Sequence, residues 1–174
     1  MYGRLPLNHI GAFAEYIAVS SDAIAKVPDY LSDEEASAIP LTALTALQAL
    51  ELLHVKAGDT VFISGGTGGF GAMAIPIAKS QGLKVITNGS VSQRDRVIRL
   101  GADRFIDYKT EDYAETLHDI DCVIDTLGER ELPKEFSILK RGGHLVSLRW
   151  LPNGNLPKGW ICLWGNVCFS NWQA

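Results

Sequence analysis

A chain of 174 residues, 47% apolar and 21% charged with a formal net charge of -4, has the size and balance of a globular protein with one packed core or slightly more. The mild acidic balance gives no electrostatic reason to expect nucleic acid as a partner. The N-terminal MYGRLPLNHI lacks a signal-peptide core and no run of eighteen apolar residues occurs, so neither export nor a membrane span is supported and the cytoplasm is the expected location.

In chain order, Gly11–Val19 (GAFAEYIAV) reads as one strand or two short ones, and Ala23–Val27 as another. Ser32, with Glu35 three residues on, is a capping-box start for a helix through Ala36–Ile39. Pro40 is expected to break or restart that helix. Leu41–Leu53 then places Leu44, Leu47, Gln48, Leu50 and Glu51 on a helix ending near His54, and Val55–Asp59 forms a turn.

Next comes VFISGGTGGFGAMAI, with five glycines in the seven residues 65–71. The β-branched and aromatic Val61–Ile63 suits a short buried strand, at about 61–64. Phe70, Ala74, Ile77 and Ala78 recur at helical spacing, which predicts a helix over about 70–81. Gly66, Gly68 and Gly71 fit G-x-G-x-x-G between strand and helix, the context in which that motif holds a dinucleotide. The first glycine allows the turn, the second admits a pyrophosphate to the backbone, and the third lets helix and strand pack closely. Amides of the first helical turn then face the phosphates. A tight turn in some other α/β protein would also produce the pattern. No G-K-S/T follows, so this is not a triphosphate loop.

Regular alternation continues: a strand at 83–88, a helix at about 92–100, a strand at Arg104–Ile106, and a short helix at Glu111–Leu117. Then come a strand at Asp121–Asp125, a helix at about 130–139 and a strand at Gly142–Leu148. Repeated strand–helix units with short loops predict a parallel sheet of about five strands covered on both faces, doubly wound in the order 3-2-1-4-5. The last 25 residues differ. They hold all four tryptophans, two of the three cysteines (Cys162 and Cys168) and a single charge, Lys158, and show no sustained period. Cys122 reads as a small buried hydrophobe. With no C-x-x-C and with His9, His54, His118 and His144 scattered, no metal site is expected.

Taken together, GAFAEYIAV, LSDEEASAIPLTALTALQAL, VFISGGTGGFGAMAIPIAK, RLGADRFIDYKTEDY, DCVIDTLG and GGHLVSL resemble the zinc-independent quinone oxidoreductases of the medium-chain dehydrogenase/reductase superfamily. The resemblance runs from about residue 2 to 158. It implies a doubly wound Rossmann domain that binds NADPH, beside a GroES-like, partly open β-barrel domain. It also implies hydride transfer to a quinone, enone or similar small electron-poor acceptor, without zinc. On this pattern residues 1–30 are a remnant of the GroES-like domain, 31–55 are connecting helices, 56–149 are an incomplete Rossmann domain, and 150–174 are an atypical tail. The chain is thus expected to be truncated at both ends and weakly active or inactive, and the family's homodimer is doubtful for it. A non-catalytic dinucleotide-binding fragment, or the non-functional product of a disrupted gene, are the alternatives.

The cofactor residues implied are Gly66, Thr67, Gly68, Gly69, Phe70 and Gly71 in the loop, and Gly89, Ser90, Gln93, Arg94 and Tyr108 around the ribose 2′-phosphate. An NAD site presents an acid at the end of the second strand; here Thr87–Ser90 has none, which favours NADPH. Gln93 stands where the family has a basic residue, with Arg94 beside it; Arg94 and Arg96 also fit solvated helix positions. The resemblance places Thr45 near the nicotinamide, although Thr45 and Thr42 could instead bond within their helix. It makes Val146 and Ser147, in the strand end 146–148, a second wall. It puts Asp125 and Gly128 beside the cofactor, where Asp125 could equally form a turn. No catalytic acid is assigned.

Overall fold

The computed structural model describes residues 1–5 and 13–149, with the backbone of 160–163 and 167–171. β1 (Tyr2–Gly3) pairs antiparallel with β2 (Ile24–Ala25), within the expected strand 23–27. The strand expected over Gly11–Val19 is corrected. Residues 13–19 form bends and irregular chain, Phe13 and Tyr16 are exposed, and residues 11 and 12 lie outside the described part. A strand needs a hydrogen-bonded neighbour, and among the described residues no ladder includes this segment.

α1 (Asp33–Leu52) begins as expected. Ser32 Oγ accepts from the Glu35 amide at 3.2 Å and Glu35 Oε2 from the Ser32 amide at 2.9 Å, closing a capping box. Asp33, Glu34 and Glu35 add negative charge at the positive end of the helix dipole. The break at Pro40 does not occur: one helix of 20 residues replaces the two connecting helices. Proline costs about 3 kcal/mol inside a helix. Here the packing of Ala36, Pro40, Ala46, Ala49 and Leu50 opposes that cost. Thr42 Oγ1, meanwhile, donates to the Ala38 carbonyl at 3.1 Å beside the interruption.

The Rossmann unit then follows the predicted alternation: β3 (Thr60–Ile63), α2 (Gly69–Ser80), β4 (Lys84–Gly89), α3 (Arg94–Arg99), β5 (Arg104–Asp107), α4 (Tyr113–Thr116), β6 (Ile120–Asp125), α5 (Leu132–Ile138) and β7 (Leu139–Ser147). A 3-10 turn, Val91–Gln93, leads into α3. The sheet order is β5-β4-β3-β6-β7 with every one of these pairs parallel, which is the order 3-2-1-4-5 expected from the sequence.

Strand alternation explains why both faces need cover. Val61 and Ile63 join Val85, Ile124 and Val146 on one face, beneath Leu50 of α1 and Ala74, Ile75 and Ala78 of α2. Phe62 joins Val123, Leu145 and Ile106 on the other, beneath Tyr113 and Ile138. All four of Val61, Phe62, Ile63 and Val123 have no exposed surface, so the strands read as continuous apolar runs.

The C-terminal segment, read from the sequence as an atypical tail, contributes two strands. β8 (Trp160–Leu163) and β9 (Val167–Asn171) pair antiparallel, and β9 pairs antiparallel with β7 from His144–Ser147. The edge of β7 presents unpaired amides and carbonyls, and the β-branched and aromatic VCFSN segment satisfies them despite lacking a sustained period. Among the described residues the sheet therefore has seven strands and continues beyond β7. The rest of the tail, 150–159, 164–166 and 172–174, lies outside the described residues.

Candidate dinucleotide site

The carboxyl ends of β3, β4, β5 and β6 converge on a cleft of about 820 Å³. Its lining comes from the loop after each strand: Gly65, Thr67 and Gly68 after β3, Asn88–Ser90 at the end of β4, Tyr108–Tyr113 after β5, and Leu127, Glu131 and Lys134 after β6. The chain reverses direction across the sheet between β3 and β6, and an open α/β sheet forms its ligand crevice at such a switch point.

The glycine loop has no room for side chains at the positions that matter. A Cβ on Gly66 would stand 2.1 Å from Thr87 Oγ1, one on Gly71 1.9 Å from the Gly66 carbonyl oxygen, and one on Gly89 2.1 Å from Thr67 Cγ2. Gly65 has φ +72°, the left-handed region that glycine tolerates. Side chains of β4 fix this conformation. Asn88 Oδ1 accepts from the Gly65 amide at 2.7 Å, and Thr87 Oγ1 accepts from the Gly66 amide at 3.1 Å while donating to the Ile63 carbonyl at 2.7 Å. From the β6 side, Thr126 Oγ1 donates to the Ser64 carbonyl at 2.7 Å. α2 opens at Gly68 without a side-chain cap. The first-turn amides of a twelve-residue helix thus lack an internal partner and form a site for anionic oxygens.

The residues singled out from sequence fall into two groups. Thr67, Gly68, Gly89, Ser90 and Tyr108 line the cleft, while Gly66 and Gly71 are buried in the turn that shapes it and Gly69 and Phe70 start α2. Gln93 and Arg94 do not line it: Gln93 ends the 3-10 turn and Arg94 begins α3, exposed. Thr45 Oγ1 donates to the Leu41 carbonyl of its own helix at 2.6 Å, the within-helix alternative. Val146 and Ser147 are buried in β7, outside the lining. Asp125 forms a turn: Oδ1 accepts from the Leu127 amide at 2.7 Å and the Gly128 amide at 2.8 Å, and Oδ2 accepts from Ser147 Oγ at 2.6 Å.

Sequence reasoning missed Thr87 and Asn88 as anchors of the loop, although two polar residues at the end of an apolar strand are a readable signal. It also missed the lower cleft. There Lys134 pairs with Asp112 at 2.7 Å, and that hydrogen bond holds the Asp112 carboxyl below the usual range. Tyr113 donates to Glu131 Oε2 at 2.9 Å; burial first, then the negative charge of Glu135, pushes its phenol well above the ordinary value. Beneath the loop, Glu135 is fully buried and neither of its carboxyl oxygens has a hydrogen-bond partner. Burial, then the charge of Asp125, pushes its carboxyl up to about 9. Among the described residues no group of three or more His, Cys, Asp or Glu is placed to hold a metal ion, and no helix is long and apolar enough to cross a membrane.

Comparison with known proteins agrees with the fold. The family described as zinc-binding dehydrogenase matches residues 69–163. The chain is 36% identical over 143 residues to 2-methylene-furan-3-one reductase of Solanum lycopersicum, covering 81% of this chain and 36% of that one. It is 31% identical over 146 residues to human quinone oxidoreductase, covering 78% and 44%. Among solved structures, the quinone oxidoreductase of Thermus thermophilus, also solved in complex with NADPH, aligns with TM-score 0.72 at 30% identity, over 83% of this chain and 49% of that one. The quinone oxidoreductase of Coxiella burnetii aligns with TM-score 0.72 at 38% identity, over 76% and 42%. The chain therefore spans less than half the length of these relatives.

Proposed function

Because this chain belongs to the zinc-binding dehydrogenase family, among the quinone oxidoreductase-like members of the medium-chain dehydrogenase/reductase superfamily, we propose that its cleft binds NADPH. We further propose that residues 56–149 form the cofactor unit of a reductase acting on a quinone, enone or similar acceptor. In this reading residues 31–55 connect that unit to a GroES-like domain, of which 1–30 are a part.

The observation that carries the reading is the cradle at Gly66, Gly71 and Gly89, where a Cβ would lie about 2 Å from neighbouring atoms. Backbone that a side chain cannot occupy, next to an uncapped helix start, suits a pyrophosphate approaching the main chain. The choice of NADPH rests on the end of β4. Thr87 and Asn88 are turned to the loop, and Gly89 and Ser90 follow with no carboxylate to repel a 2′-phosphate. When bound, the nicotinamide supplies the hydride and carries the redox chemistry. The residues of this chain bind the phosphates through the loop and α2, and hold the sheet end rigid through Asp125 and Ser147.

A second reading, dinucleotide binding without turnover, is favoured by the exposed apolar side chains Leu41, Leu44 and Leu47 of α1 and by Tyr16. These are apolar surfaces left exposed, whereas placement of an acceptor in a closed site supplies several kcal/mol of barrier reduction. NADPH and NADH titrations by fluorescence test the binding, and NADPH oxidation with 9,10-phenanthrenequinone tests the turnover. Saturable binding with tenfold preference for NADPH supports the cofactor reading, and equal or absent binding refutes it. Binding with no oxidation selects the second reading.

A further inference from the structure

The sequence pointed to Gln93 and Arg94 for the adenosine ribose 2′-phosphate, and the structure places both outside the cleft lining. The cleft does carry cations, and their partners differ. Lys134 Nζ lies 2.7 Å from Asp112, so its charge is balanced. Lys109 lines the same cleft as Ser90 and Tyr108, is exposed, and has no ion pair among the described residues. Its ammonium stands 6.0 Å from the centroid of the Tyr108 ring, at the outer limit of a cation–π contact.

The turn that carries Lys109 is held against the end of β4. The Tyr108 amide donates to the Gly89 carbonyl at 3.4 Å. Asp107 Oδ1 accepts from the Lys109 amide at 3.1 Å and the Asp107 carbonyl from the Thr110 amide at 3.0 Å. Gly89 itself admits no side chain, because Thr67 fills the space. Ser90, Tyr108 and Lys109 therefore line the cleft beside the end of β4.

We infer that Lys109 is the specificity-determining cation of this site, taking the 2′-phosphate of the dinucleotide with the hydroxyls of Ser90 and Tyr108, in place of Gln93 and Arg94. The inference rests on the proposal that the cleft binds NADPH and adds which residue selects it. A flexible lysine suits the role, since it meets a phosphate as a point charge and needs no planar bidentate geometry.

The test uses the full chain and paired ligands that differ only by the phosphate: NADPH against NADH, and 2′,5′-ADP against 5′-AMP. Lys109→Gln is expected to weaken NADPH and 2′,5′-ADP about tenfold, or about 1.4 kcal/mol, and to leave NADH and 5′-AMP within twofold. Lys109→Arg should restore most of the loss, Arg94→Gln should change neither pair, and the salt dependence of NADPH binding should flatten in Lys109→Gln. The inference is overturned if Lys109→Gln keeps the wild-type ratio, or if Arg94→Gln shows the loss instead. A wild-type chain that binds both members of each pair equally refutes the NADPH proposal itself and this inference with it. A wild-type preference for the phosphorylated ligand that survives Lys109→Gln refutes the inference alone.

Discussion

Gly69 and Gly71 sit two residues apart at the start of α2, and the structure assigns them opposite fates on substitution by alanine. A Cβ on Gly71 would lie 1.9 Å from the Gly66 carbonyl oxygen, 2.4 Å from its carbon and 2.5 Å from its Cα. Those atoms are backbone, and their residue is tethered by Thr87, so no rotamer change relieves the overlap. The helix start would have to retreat by about 1.5 Å to reach the 3.4 Å of ordinary contact. Overpacking in a close-packed interior costs about 1–3 kcal/mol and occasionally more, and this collision with main chain belongs at the upper end. A Cβ on Gly69 meets nothing within 4 Å, and replacing a helical glycine by alanine gains roughly 0.5–1 kcal/mol. Gly71→Ala should therefore lose about 3 kcal/mol in urea unfolding, while Gly69→Ala should be neutral or slightly stabilising. NADPH titration should show Gly71→Ala losing affinity at least tenfold with the loop displaced. Equal stability and equal affinity for the two variants would refute the close-approach reasoning, and with it the cradle.

Other expected outcomes follow from single contacts. Asn88→Ala removes the acceptor of the Gly65 amide and should cost about 1–3 kcal/mol, with weaker NADPH binding; an unchanged affinity on titration would show that the loop does not depend on it. Ser32→Ala opens the capping box of α1 and should cost about 1 kcal/mol, a loss readable in urea denaturation. Glu135 has its carboxyl raised from 4.5 to about 9 by burial and by Asp125, with Glu131 acting in the same direction. The native state therefore holds a proton that the unfolded chain releases above about pH 4.5. That contribution is fully present below pH 4.5 and is lost as pH rises through about 9. Glu135→Gln should accordingly gain on the wild type by up to about 1.4 kcal/mol per pH unit between about pH 5 and 8, in unfolding curves taken across that range. Parallel pH profiles for the two proteins would contradict a buried, protonated Glu135.

The parallel sheet was legible because both of its faces are buried. Val61–Ile63, Val85–Ile86, Val123–Ile124 and Leu145–Val146 are local signals, and short loops leave little choice of strand order. Three features depended on what lies across from a segment. Pro40 stays within α1 because neighbouring side chains pack around it, which a local penalty does not register. Residues 13–19 carry the composition of a strand but have no ladder among the described residues. Val167–Asn171 lacks a period yet pairs with β7, since an open edge satisfies any extended backbone. The glycine loop was readable from G-x-G-x-x-G, whereas the lower cleft was not, because Thr110–Tyr113 meet Glu131 and Lys134 only after folding.

The end of β4 links scaffold to specificity. In a dinucleotide site the second strand can end in an acid that accepts from the ribose hydroxyl. Here Thr87 and Asn88 are both buried and committed to the loop, one closing the bridge from Gly66 to the Ile63 carbonyl and the other holding Gly65. The next position, Gly89, is filled from the opposite side by Thr67. A side chain at 89 would collide with Thr67, and an acid at 87 could not donate to the Ile63 carbonyl, so these two places disfavour a carboxylate, whereas an acid at 88 could keep the Gly65 bond that Asn88 Oδ1 makes. In the NADPH reading proposed above, discrimination falls to Ser90 and to the segment after β5 that the Tyr108 amide docks onto Gly89. On that proposal, the loop glycines restrict where a charge that reads the ribose can stand.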